Sequence, residues 1–380
     1  MQYGIYIITL LWATSVLADI KAGEAAYQVH DYATALREWH PLADQGDAVA
    51  QRYLGSMYLQ GRGVPQDYTE AFKWEQKAAE QGDIPAQSML GFMYSKGRGV
   101  PQDYAVALQL YHQAAEHGNA SAQNDLGVIY ARGLGVAKNY VEAAKWYRQS
   151  ADQNYAPAQN HLGLMYSEGK GVVHDDVAAI QWFQYAADQG YADAQNNLGD
   201  AYSKHRGVPR NLAAAANWYR LAAEQGYAPA QNSLGVRYAT GEGVPQNLTE
   251  SHKWFRQAAE QGNAQAQFNL GRFYFTGQSV PQDYVEAIKW IRQAAAQGVQ
   301  EAQYLLGQMF MQGLGVKAES MQASLWLRLA ATQSNDVAIQ QKAQVFLDQL
   351  TSDLTPEQLL QVDKLYRAWK PSPATAENAD

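Results

Sequence analysis

The chain has no cysteine among its 380 residues. That absence excludes a disulfide framework, thiolate metal ligands, cysteine catalysis and a lipid attached through a cysteine. Proline is scarce, 12 residues in all and regularly placed, which suits a folded chain and not a disordered one. Positive charge is short as well: 29 lysines and arginines stand against 37 aspartates and glutamates, a formal balance of −8. A chain of that sign has no general attraction to nucleic acid or anionic lipid. Hydrophobic residues, many of them alanine, make up 47%, and this favours a helix-rich fold.

Charge is missing entirely from residues 1–18, "MQYGIYIITLLWATSVLA", which end in Val16-Leu17-Ala18, small at the last and third-last places. This is the pattern of a signal peptide with a mature start near Asp19, and it places the product in the periplasm or medium of a bacterium. An uncleaved anchor of marginal length is the competing reading. Once the signal is removed, no membrane span is expected.

What the chain does have is a period. Gly55, Gly91, Gly127, Gly163, Gly199, Gly235, Gly271 and Gly307 are each 36 residues apart, and the same step carries Gln51 to Gln303 and Leu54 to Leu306 without an insertion. Eight full repeats therefore run from Ala48 to Asn335. Residues 19–47 form an N-terminal cap and half repeat, with Asp31, Ala35, Ala43 and Gly46 on the lattice and Trp39 one place late.

Each repeat reads as two helices. The first follows a capping residue such as Asp47, Asp83, Asn119 or Asn263, can carry proline in its first turn (Pro85, Pro157, Pro229), and stops at a glycine such as Gly61 or Gly277. After a loop such as "GRGVPQD", an Asp or Asn caps the second helix: Asp67, Asp103, Asn139, Asp175, Asn211, Asn247 and Asp283 hold that place. The second helix carries Ala71, Trp74, Ala78 and Ala79 at helical spacing and ends near Gly82. Ala266, Gln267, Leu270, Gly271 and Tyr274 share one side of a first helix and mark its buried face. A glycine inside a helix costs roughly 1 kcal/mol against alanine, so eight of them at one place imply a neighbour too close for a methyl group. Trp74, Trp146, Trp182, Trp218, Trp254, Trp290 and Trp326 are expected to supply the bulk between helix pairs, with Leu110 as the exception. One pair cannot bury both its faces, but stacked pairs can. The expected fold is all-α, a right-handed α/α superhelical solenoid of 36-residue helix-turn-helix repeats. Residues 336–370 are expected to cap the last repeat, and the polar segment 371–380 to be a disordered tail.

The recurring phrase A-x-A-Q-x-x-L-G-x-x-Y-x-x-G-x-G-V-x-x-D, followed by A-x-x-W-x-x-x-A-A-x-x-G, resembles the Sel-one-like repeat family, a subclass of the tetratricopeptide-like solenoids. The likeness covers residues 31–335. "GEAAYQVHDYATALREWHPLADQGD" and "LTPEQLLQVDKLYRAWKP" also look like the flanks of secreted bacterial members. The resemblance implies an adaptor that binds other proteins on a superhelical surface, active in host contact, envelope maintenance, or signalling and degradation complexes. A cysteine-rich branch linked to β-lactam binding is out of consideration here. Asn154 and His205 stand where other repeats have turn glycines, a departure that bears on the local turn and not on the fold.

No constellation of acid, base and nucleophile gathers along the chain. His30, His40, His161, His174, His205 and His252 are each alone in their repeat, and His112 and His117 lie about 140° apart around one helix, so all eight read as solvated surface. Asp175 beside Asp176 and His174 reads as a helix cap, "GRGVPQD" and "GEGVPQN" as connectors and not phosphate loops, and the Asn-x-Ser/Thr matches at Asn119 and Asn247 fall on capping places. Neither a catalytic site, a metal site nor a cofactor is expected. The variable side of the first helix is where a partner would be chosen. Asn124, Asn160, Asn196 and Asn232 repeat one place in four successive units, a candidate ladder of amide groups. A polar helix surface or contact between repeats is the competing reading. At the same place the seventh and eighth repeats hold Phe268 and Tyr304, and a turn or two on come Phe275 and Met311, a candidate apolar patch for a partner. Against it stands packing between repeats, or a cap folded over the rings. The sequence thus points to a monomeric, non-catalytic scaffold for a protein or peptide, with no nucleic-acid partner. The alternative is a cell-wall or carbohydrate-binding accessory or enzyme of peptidoglycan metabolism.

Overall fold

The computed structural model describes residues 20–372, so the expected signal peptide and most of the expected tail lie outside the described residues. Among those residues every regular element is an α-helix. Two compact units divide the chain, one ending at Ala186 and the other beginning at Ala187. The first holds a helix over 20–28, the helix Tyr32–Asp44 and the first four repeats up to that boundary. The second holds repeats five to eight and two further helices, Val337–Thr351 and Pro356–Ala368.

Side-chain chemistry sets the limits of the helices. In the first repeat, Asp47 Oδ1 accepts from Ala50 N at 2.8 Å to open the helix Ala48–Gln60, and Gly61 closes it with φ 67°. Asp67 then takes the first amides of Tyr68–Glu80. The pattern recurs on the capping Asp and Asn residues of later repeats, Asp175 included. His205 and Asn154 keep the turns of the glycines they replace, at φ 56° and 64°. Both tolerate the left-handed region better than most side chains. Ser279, at φ 66°, is a third substitute of this kind, standing where the first repeat has Gly63.

The repeated glycine answers to a side chain twenty residues on, within its own repeat. A Cβ placed on Gly199 would lie 2.6 Å from the ring of Tyr219, one on Gly235 2.7 Å from Phe255, and one on Gly271 2.6 Å from Ile291. The tryptophans Trp74, Trp146, Trp182, Trp254 and Trp290 do pack in clusters that join consecutive repeats, as expected, but the residue that faces the glycine is the one after the tryptophan. Tyr111, Tyr147, Tyr219 and Phe255 are buried, whereas Trp146, Trp218 and Trp254 are only half-buried. Each of the half-buried indoles Trp146, Trp182 and Trp254 packs against a core cluster that joins the second helix of the repeat before it to the first helix of its own.

The repeated glutamine is a stitch. Gln123 Nε2 donates to Ala115 O at 3.1 Å, Gln231 to Ala223 O at 3.2 Å and Gln267 to Ala259 O at 3.2 Å. Each adds a side-chain donor to a carbonyl at the end of the preceding second helix that already accepts the N–H of the turn glycine. The same glutamines then accept from Gln153, Gln261 and Gln297 at 2.7 to 2.8 Å. Buried amides satisfied in this way hold neighbouring units in one register.

Candidate functional site

The asparagine row lies between repeats and not on an open surface. Asn124 and Asn160 are buried, Asn196 and Asn232 half-buried. Asn124 Nδ2 donates to Asp125 Oδ1 at 3.3 Å, and its Oδ1 meets His161 Nδ1 of the following repeat at 2.9 Å. Asn232 Oδ1 accepts from Asn269 Nδ2 at 3.0 Å. Asn196 Oδ1 is enclosed without a hydrogen-bond partner. At Asn124 and Asn232 the amides are thus engaged by the next repeat, as the competing reading of the sequence had it.

The candidate apolar patch is corrected in the same direction. Phe268, 7% exposed, belongs to the core cluster of the last repeats and is no accessible anchor. Phe275, Tyr304 and Met311 are half-buried and pack against that cluster, which Ala343 and Leu350 of Val337–Thr351 complete. Phe275 meets Tyr284 edge-on at 5.4 Å, and Tyr304 lies 6.2 Å from Phe346 of the same terminal helix. The physical reason is that the period ends after Asn335: a last pair with no ninth neighbour has an apolar edge to cover, and the terminal helix covers it.

Three histidines also depart from the solvated-surface expectation. His112, His161 and His252 are half-buried, the first bonded to the Tyr130 hydroxyl at 3.2 Å. Burial pushes His252 below its usual range. Glu75 was missed altogether. It is 1% exposed, faces Gly55 and occupies the place after Trp74 where other repeats hold Tyr, Phe, Ile or Leu. Burial holds its carboxyl well above the usual range. The sequence signal was an acid at a place otherwise apolar.

His161 leads to a concavity in the first unit, about 360 Å³ in volume. Its ring stacks on Tyr147 at 4.8 Å, and Tyr140, Arg132, Lys138 and Lys170 line the same hollow. The bonding fixes the tautomer. Because Asn124 gives its amide hydrogens to Asp125, its carbonyl oxygen accepts, so His161 carries its proton on Nδ1 and a lone pair on Nε2. Burial, aided by Arg132, pushes His161 down to about 4, so the ring is neutral at ordinary pH. Burial likewise raises the Asp125 carboxyl to about 6, against the bonds from Asn124 and Tyr111 that favour its charge. The Lys138 and Lys170 ammoniums each lie 5.6 Å from the Tyr140 ring centroid, and Lys170 is paired with Glu168 at 2.7 Å. A second hollow of about 260 Å³, lined by Phe72, Tyr94 and Leu110, opens in the repeat that has leucine in place of tryptophan. Among the described residues no group of three metal-ligating side chains converges, and no helix is long and apolar enough to cross a membrane.

Tandem helix pairs of this kind, stitched through buried amides and closed at the end by a helix off the period, define an α/α repeat solenoid. The family model of the Sel1 repeat matches eight consecutive segments, from 48–83 through 300–335. The chain belongs to the Sel1 repeat family, whose members are typically protein-interaction scaffolds and generally non-catalytic. It is similar to a solved Sel1 repeat protein from Oxalobacter formigenes, with 34% identity over 82% of this chain and 90% of that one and a TM-score of 0.57. It is also similar to a protective antigen of uropathogenic Escherichia coli that displays an SLR fold, with 30% identity over 88% and 94% of the two chains and a TM-score of 0.51. No curated protein sequence matches the chain.

Proposed function

We propose that this chain is a non-catalytic scaffold, exported to the bacterial envelope or medium, that binds a protein or peptide partner. The observation that carries the reading is where the motif side chains go. The glutamines donate to helix-end carbonyls, the glycines admit the ring or branched chain of the facing helix, and the Asp and Asn residues cap. What varies from repeat to repeat is left to line hollows such as the one around His161. The charge-free residues 1–18 support export, and the similar Escherichia coli chain is itself a protective antigen.

The test is chemical cross-linking of the mature chain in a bacterial host, followed by reconstitution of any recovered partner as a purified complex of defined stoichiometry. Failure to reconstitute a complex, together with turnover of peptidoglycan fragments by the purified chain, overturns the reading. Mass spectrometry of the secreted or periplasmic product is expected to find a start near Asp19, and recovery in the cytosol with Met1 intact removes the export clause.

A further inference from the structure

Arg132 and Lys138 are two exposed cations of the first unit that differ from those held in ion pairs. Lys73 and Lys145, on exposed helix faces, pair with Glu70 and Glu142 at 2.6 and 2.9 Å, and Arg52 pairs with Asp83 at 3.2 Å. Neither Arg132 nor Lys138 is held in an ion pair among the described residues, the one carboxylate that lines the same hollow, Glu168, being paired with Lys170, although the chain as a whole carries an acidic surplus. Both border the hollow whose floor is Tyr140, Tyr147 and the neutral ring of His161. Val141 and Val173, 55% and 87% exposed, are two large apolar side chains close in sequence to the lining residues Tyr140 and Lys170. They flank the place where Gly171, lacking a Cβ, lets its loop press on the Tyr140 carbonyl.

We propose that this hollow in the third and fourth repeats receives an acidic segment of the partner polypeptide, its carboxylate held by Arg132 and Lys138 and an adjoining apolar side chain lying on the Tyr140–Tyr147–His161 floor. The inference rests on the scaffold reading and names the chemistry of the partner. The volume is at the low end of ligand sites, room for one or two side chains and not for a helix of ~10 Å diameter. An arginine fork and an ammonium offer several donors to one carboxylate. The aromatic floor supplies area with little side-chain entropy to lose. A nucleic acid would present its whole phosphate chain to a protein of net charge −8, whereas a single carboxylate samples only the local field.

The test uses the full mature chain and fluorescence anisotropy with three probes: a short capped peptide of alternating glutamate and leucine, its glutamine counterpart, and a short single-stranded DNA. The glutamate peptide is expected to bind about tenfold tighter than the glutamine peptide at low salt, with the preference shrinking as salt is raised. The Arg132→Gln, Lys138→Gln double variant is expected to erase the preference at an unchanged thermal midpoint, and the distant Lys342→Gln, Lys364→Gln variant to keep it. Charge reversal by Arg132→Glu is expected to favour a lysine–leucine peptide instead. Equal binding of the two peptides, a preference that survives the double variant, or displacement of the peptide by DNA overturns the proposal. If a reconstituted partner binds the double variant with undiminished affinity, the hollow is not its site and the scaffold reading stands. If no complex can be reconstituted and the purified chain turns over peptidoglycan fragments while the peptide preference holds, the scaffold reading fails and the hollow remains an acidic-segment site.

Discussion

Where the third and fourth repeats carry Asn124 and Asn160, the seventh and eighth carry Phe268 and Tyr304, and the same lattice point serves opposite chemistry. In the earlier pair it holds a polar chain from Asp125 through Asn124 to His161, ending at a hollow bordered by Arg132, Lys138 and the Lys170–Glu168 pair. In the later pair it holds rings that join the core and meet a terminal helix. A repeat inside the array has a neighbour on each side and can spend this edge on polar contacts. The last repeat has an edge with no next repeat and fills it with apolar area, and Phe268, one repeat earlier, joins the same cluster. Large residues at a variable place therefore mark the end of the array here, and the ligand-facing surface is better sought where the side chains are polar and incompletely paired.

The widest separation between the two regions is expected from truncation at the shared point. Phe268→Ala is expected to cost about 3–5 kcal/mol by removing a buried ring, and the Phe268→Ser, Phe275→Ser pair more. Asn124→Ala is expected to cost only ~1–3 kcal/mol, the penalty of leaving the His161 donor unpaired. Urea denaturation of each variant measures both, and equal costs would break the comparison.

Acid titration is expected to separate the regions next. His161 falls from the usual 6.5 to about 4 in the folded chain, so its contribution is complete above pH 6.5 and is lost as pH falls through 4. Asp125 rises from 3.8 to about 6, so its contribution is complete below 3.8 and is lost as pH rises through 6. The two oppose each other across the same window. His161→Gln is expected to leave a chain more stable at about pH 4.5 than at neutrality, and Asp125→Asn one that is less stable there, each by roughly 1–3 kcal/mol. Phe268 variants keep both groups and are expected to show the wild-type profile, with the two limbs opposed. Denaturation midpoints at both pH values decide this, and parallel profiles for the His161 and Asp125 variants would contradict it.

A smaller difference is expected at the glycines. Gly271→Ala meets Ile291 at 2.6 Å and, beyond it, the Ala287 carbonyl and Ile291 amide at 3.2 Å, whereas Gly127→Ala meets only the ring of Tyr147. Both are expected to cost on the order of 1–3 kcal/mol, with Gly271 the worse because backbone cannot rotate away. Thermal midpoints order them. The least effect is expected at matched exposed pairs: Lys145→Ala beside Glu142 and Lys289→Ala beside Glu286 should each shift stability by less than about 0.5 kcal/mol, and a larger shift in either would show a context that the repeat lattice does not account for.

Much of the fold was legible because the determinants of a helix pair are local. Asp47, Asp67, Gly61 and Pro85 act within a few residues of themselves, so spacing alone identified caps and stops. The small side chain required at Gly127 was legible too, but its cause was not. The gap is filled by Tyr147, twenty residues on, and the tryptophan beside it drew attention by its size. The candidate site was legible only in part. Asn124 and Asn160 were placed on a variable face, yet nothing in their spacing tells a surface amide from one bonded across repeats. His161 looked solitary because its partners, Asn124 and Tyr147, belong to the preceding repeat.

The sequence by itself determined the period, the number of repeats, the helix limits and the absence of thiol chemistry, since each follows from residue type and short-range spacing. Only the tertiary structure decided which variable side chains stay open. Exposure depends on what packs against a helix from the next repeat or from the terminal helix, and that is a sum over contacts distant in sequence. For that reason Phe268 closed into the core while Arg132 and Lys138 stayed exposed beside a hollow, outside any ion pair among the described residues.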